Sequence, residues 1–189
     1  LSVKDVQRAV RFVRANAETY GIDPDHIGAI GGSSGGHLVS MIALKDGKGN
    51  PDDSSPVNRL SAKVQCAVVR AVPSEMAGNS SLLLLGFFIN PNGDQASEEY
   101  RLAAEASPVS HVSSDDPPML LIHGDADRLV PIEGSQRLKE KLEQADVPTQ
   151  LITIAGAGHG PHFPGTDQDL GDIYADAVNW MDTHLKTKK

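Results

Sequence analysis

Val3, Val6, Val10, Val13 and Ala17 recur at spacings of three and four. That period lays one apolar stripe along a helix, which Tyr20-Gly21 closes. After a turn at Asp23-Pro24-Asp25 the pattern changes: residues 26–31, HIGAIG, are a short apolar run held between glycines and read as a buried strand. Helical spacing returns with Leu38, Met41, Ile42 and Leu44. Residues 46–60, DGKGNPDDSSPVNRL, are loop by composition. Three more apolar runs, 62–72, 119–124 and 149–156, read as strands, and Ile132, Leu138, Leu142 and Ala145 mark a helix between the last two. Leu170, Ile173, Tyr174, Ala177, Trp180, Met181 and Leu185 predict a closing amphipathic helix.

Strands alternating with helices imply crossover connections, so the pattern predicts an α/β fold: a mostly parallel sheet of about four strands with helices on both faces. Residues 73–118 break the alternation. They hold two apolar patches, a short predicted helix near 97–106 and the pair Pro117-Pro118. Because this segment carries its own apolar residues, we expect a lid-like insertion rather than a linker. A chain of 189 residues with 39% hydrophobic content supports one core, hence a single domain over 1–189.

Charge and cysteine use narrow the classes. A net charge of −8 argues against nucleic acid as a partner, and Lys186, Lys188 and Lys189 read as a solvated tail. Cys66 is the only cysteine, so neither an intrachain disulfide nor a multi-cysteine metal site can form. In the run VQCAVV it reads as a buried small residue. No apolar run reaches the roughly 18 residues of a membrane span. His159, His162 and Asp167 are too loosely spaced for a metal site, and no motif calls for a cofactor.

The segment with chemistry is GGSSGG, 31–36, set between the first strand and its helix. Gly31-Gly32-Ser33-Ser34-Gly35 fits G-x-S-x-G, the nucleophile elbow, a strained strand-to-helix turn that exposes a serine. In such a turn the glycines two before and two after the serine crowd together, so Gly31 and Gly35 are both expected to exclude a Cβ. The backbone N–H of Ser34, at the helix start, is the expected oxyanion donor. Other readings of the run are a plain turn or a phosphate loop, but no lysine follows and G-x-G-x-x-G is absent. The motif also fits one residue later, with Ser34 as nucleophile. Ser33 follows the strand more closely and leaves Gly36 for close helix–strand packing. A nucleophilic serine needs a base, and the base an orienting acid. Asp125 and Asp127 follow the third strand and His159 the fourth, and loops at the carboxyl ends of parallel strands open on one side of the sheet.

Together, GGSSGGHL, ASPVSHVSSDDPPMLLIHGDADRLVP and GAGHG resemble the bacterial feruloyl and acetyl-xylan esterase-like (BD-FAE-like) branch of the α/β-hydrolases, over essentially the whole chain. The resemblance carries the nucleophile onto Ser33, with Ser34 where the pattern has alanine. It carries the acid onto Asp127 through H-G-x-x-D-x-x-V-P, and the base onto His159 through G-A-G-H-G. Asp125 is then expected to brace its turn, His123 to be structural, and His37 to pack behind the elbow. His162, with Leu84 and Phe87 of SSLLLLGFF (80–88), are candidate pocket residues, although that apolar stretch reads equally well as ordinary core. The implied activity is that of a serine carboxylesterase without cofactor, acting on small acyl or aryl esters, those of plant cell-wall polysaccharides included. Two alternatives are the catalytic portion of a prolyl oligopeptidase-type peptidase, which Ser34 after the nucleophile disfavours, and a non-catalytic module that kept the fold.

One family part is not found. Residues 1–32 hold a helix, a turn and a strand, with no His-Gly-Gly-type loop for a second oxyanion donor, and the chain opens on Leu1. We therefore expect the C-terminal portion of a longer hydrolase, weakly active or inactive alone and prone to dimerise or aggregate through an unpaired strand edge. The compartment stays open.

Overall fold

The computed structural model describes residues 2–77, 94–160 and 162–186. Helices α1 (Ser2–Ala15) and α2 (Ala17–Tyr20) precede strand β1 (Gly28–Gly32) and helix α3 (Ser34–Leu44). Strand β2 (Cys66–Arg70) is followed by helix α4 (Glu98–Glu105), strand β3 (Met119–Gly124), helix α5 (Glu133–Gln144), strand β4 (Thr149–Ile154) and helix α6 (Leu170–Leu185). The predicted first helix is thus two helices, parted at Asn16, whose backbone leaves helical geometry. The predicted loop 46–60 contains a short 3-10 turn, Pro56–Arg59.

All strand pairs are parallel, in the order β1-β2-β3-β4. Right-handed crossovers between strands in sequential order must all fall on one face of the sheet. The cores agree. Ala67, Val69, Met119 and Leu121 point to the face covered by Val39 and Ile42 of α3 and Leu138 and Leu142 of α5, with Val3, Val6 and Val10 of α1 packed against it. Their strand neighbours Val68, Leu120 and Ile122 point to the opposite face, where α6 supplies Ile173 and Ala177. This alternation is the two-residue period of a strand read out in three dimensions. Helix α3 is buried along Val39–Leu44 because it lies between the sheet and α1.

Within residues 73–118 the described parts pack as a small satellite. Met76, Ala77 and Ala103 form a third cluster, and Ser107 Oγ accepts the Met76 N–H at 2.8 Å while donating to the Ala103 carbonyl at 2.7 Å. The candidate wall 80–88, with Leu84 and Phe87, lies outside the described residues. Cys66 is fully buried, and burial pushes its thiol up to about 11. No described helix is long and apolar enough to cross a membrane.

Candidate active site

Strands β1, β3 and β4 all end on the same side of the sheet, and each delivers one polar residue there. Ser33 stands between β1 and α3 with φ 54° and ψ −122°. A non-glycine residue at positive φ costs on the order of 1–3 kcal/mol and persists only where its surroundings over-determine it. Here both backbone groups are held: the Ser33 N–H donates to the Arg70 carbonyl at 2.8 Å, and the Ser33 carbonyl accepts the His37 N–H at 2.9 Å. The turn is tight on one side. A Cβ on Gly31 would stand 2.5 Å from the Gly35 carbonyl oxygen, whereas a Cβ on Gly35 would meet nothing within 4 Å. The expectation that both glycines exclude a side chain therefore holds for Gly31 and is corrected for Gly35, whose missing Cβ points into open space. At Gly36 a Cβ would lie 3.1 Å from the Arg70 carbonyl oxygen, the close helix–strand approach expected there.

Ser33 Oγ lies 3.0 Å from His159 Nε2, and His159 Nδ1 lies 2.7 Å from Asp127 Oδ2. A carboxylate only accepts hydrogen bonds, so Nδ1 carries the ring proton and Nε2 is left to accept the Ser33 hydroxyl proton. The other carboxylate oxygen of Asp127 accepts the N–H groups of Leu129 and Val130, each at 2.9 Å. The Asp127 side chain is almost fully buried, that of His159 partly exposed. The acid is thus fixed from behind, and the imidazole faces the opening.

The neighbouring candidates occupy supporting places. Asp125 Oδ1 accepts the Gly156 N–H at 2.7 Å and ties the ends of β3 and β4 together. His162 lies exposed on the loop beyond His159; the ring that reaches Ser33 is that of His159. Ser34 is the first residue of α3, where helix N–H groups have no acceptor inside the helix. His37 Nε2 donates to the Ala106 carbonyl at 2.8 Å, and burial pushes its pKa down. Fully buried His123 donates from Nε2 to the Val130 carbonyl at 2.8 Å, so its Nδ1, 2.7 Å from Ser135 Oγ, accepts the hydroxyl proton. Burial holds His123 below the usual histidine range, and the ring is neutral although Asp127 Oδ2 lies 3.5 Å away. Among the described residues no group of three His, Cys, Asp or Glu side chains converges as a metal site requires.

Residues 1–142 match the BD-FAE family. The chain belongs to that family. It is 33% identical to the probable carboxylic ester hydrolase LipM of Mycobacterium tuberculosis over 186 residues, covering 90% of this chain and 43% of LipM. A truncated carbohydrate esterase from gut microbiota superposes with a TM-score of 0.77 at 28% identity, over 98% of this chain and 68% of its own. The acetyl ester-xyloside bifunctional hydrolase of Caldicellulosiruptor lactoaceticus gives 0.76 at 28% identity, over 96% and 62%. The fold is that of the α/β-hydrolases, and this BD-FAE chain spans less than half the length of curated relatives it matches.

Sequence reasoning missed two kinds of participant in this BD-FAE chain. The backbone donors of Leu129 and Val130 leave no mark in side-chain identity. Arg70 did leave one: a cation ending the otherwise apolar strand CAVVR.

Proposed function

We propose that Ser33, His159 and Asp127 are the nucleophile, base and orienting acid of a carboxylic ester hydrolase that works through an acyl-enzyme. The observation that carries this reading is the continuous hydrogen-bond chain from Ser33 Oγ through His159 to Asp127, assembled from three separate strand ends. His159 Nε2 takes the proton of Ser33 as Oγ attacks the ester carbonyl. The Ser34 N–H stabilises the negative charge that develops on the carbonyl oxygen. Collapse of the tetrahedral adduct expels the alcohol, which takes the proton from Nε2. Water then repeats the sequence on the acyl-enzyme and frees the acid. Asp127 holds the Nδ1–H tautomer and balances the imidazolium charge.

The ester hydrolases among the relatives support esters over amides, and the carbohydrate esterase and the acetyl ester-xyloside hydrolase among the structural neighbours support acyl esters of carbohydrates. The small acyl or aryl esters of plant cell-wall polysaccharides are the substrates the sequence resemblance implies. A fluorophosphonate probe tests the core of the proposal. Label is expected on Ser33, and Ser33→Ala is expected to take none. Hydrolysis of p-nitrophenyl acetate should fall by about 10⁴-fold in Asp127→Asn, which loses the tautomer control. Label on Ser34 in place of Ser33, or turnover of a prolyl amide in preference to the acetate, would overturn it.

A further inference from the structure

Arg70 has no part in the chemistry described so far, yet it touches both halves of the site. Its position on β2 is paired with Gly32 of β1, and its carbonyl holds the Ser33 N–H. Its side chain lies on the bare face of Gly32: a Cβ there would stand 2.7 Å from Nη2 and 3.0 Å from Nε. The guanidinium carbon lies 5.1 Å from the ring centroid of Phe163, within the reach of a cation–π contact. Phe163 is four residues past His159, is 2% exposed and has φ 44°. The elbow motif leaves the residue before the serine open, so Gly32 is unexplained by the turn; the flat guanidinium lodged against it supplies the reason.

We infer that Arg70 is a positioning residue whose guanidinium locks the strand carrying Ser33 to the loop carrying His159. This rests on the triad proposed above and adds a device to it. Serine and imidazole are 126 residues apart in sequence and meet through one 3.0 Å hydrogen bond. A bond of that kind is sensitive to placement, since a displacement of about 1 Å at a reacting pair can cost on the order of 10²-fold in rate. Arginine suits the task where lysine does not: a planar group packs flat between a glycine and an aromatic ring, whereas an ammonium is a compact, strongly hydrated point charge. The seat adjoins a cavity of about 250 Å³ lined also by Ile30 and Tyr174.

The test is a double-mutant cycle on Arg70→Met and Gly32→Ala, the second of which evicts the guanidinium without removing it. Each variant is expected to lose roughly 10- to 100-fold in kcat and in the rate of fluorophosphonate labelling, with KM within about threefold of wild type. The double variant should lose no more than about twofold beyond either single one, because both act on one contact. Arg70→Lys should recover part of the loss. Hydrogen exchange should quicken in residues 156–165 of Arg70→Met while β2 and β3 stay protected, a readout independent of turnover. Labelling of Arg70→Met within twofold of wild type, or losses that multiply in the double variant, would overturn the inference alone. A wild type that takes no label at Ser33 removes the triad reading, and this one with it.

Discussion

Gly31 and Gly35 share one motif but not one constraint. The Gly31 side of the turn faces a backbone carbonyl at 2.5 Å, and backbone cannot step aside as a side-chain tip can. Gly35 faces open space inside α3, where alanine gains up to about 1 kcal/mol in helix propensity. Gly31→Ala is therefore expected to lower both the melting temperature and the rate of serine labelling, while Gly35→Ala keeps its activity and melts at an equal or higher temperature. Thermal unfolding and labelling of the pair check this; equal damage at both would mean that the crowding is mutual after all. The symmetric expectation came from the motif, which records that both positions are glycine but not which way each absent side chain points. Ser33, Asp127 and His159 were legible because short patterns surround each of them. Ser135, whose hydroxyl donates to His123 Nδ1, sits in an ordinary helical stretch and carries no such signal.

At the scale of elements, apolar runs marked burial more faithfully than they marked the ladder. The run 62–72 contains a strand of only five residues, Cys66–Arg70, because Ala62 and Val64 are buried without joining the sheet. Periodicity senses the core, and hydrogen bonding decides where a strand stops. Two neutral histidines join the elements: His37 links α3 to the end of α4, and His123 links β3 to α5 and the acid loop. Burial is the leading cause that lowers both below the ordinary value of 6.5. As pH falls below about 6.5 the unfolded chain takes up these protons before the folded one does, so stability present above that value is lost progressively toward the folded pKa values. The melting temperature is expected to drop between about pH 7 and pH 5, and to drop less steeply in His37→Gln, whose amide can still donate to Ala106. Parallel curves for the two proteins would assign the acid loss to other groups.

For the whole molecule, the sheet carries helices on both faces and an exposed rim at β1. Among the described residues β1 pairs only with β2. On the rim Ile30 is 65% exposed, and Tyr174, which lines the same cavity, is 50% exposed. An apolar edge with free backbone groups favours association, and a charge placed on it opposes association. This chain is expected to show a molar mass in light scattering that rises with concentration, and Ile30→Lys to suppress the rise. A concentration dependence unchanged by Ile30→Lys would place the adhesive surface elsewhere.

The sequential strand order has a consequence for how the site comes into being. Each strand docks onto the edge left by its predecessor, so the sheet can grow in the direction of synthesis without any strand being inserted between two others. The last of the three polar residues enters only with His159, which follows β4. A nascent chain can therefore complete the seat of Ser33, with Arg70 already paired to its strand, well before it has a base. For the proposed triad, the base is thus the last of the three groups to be synthesised.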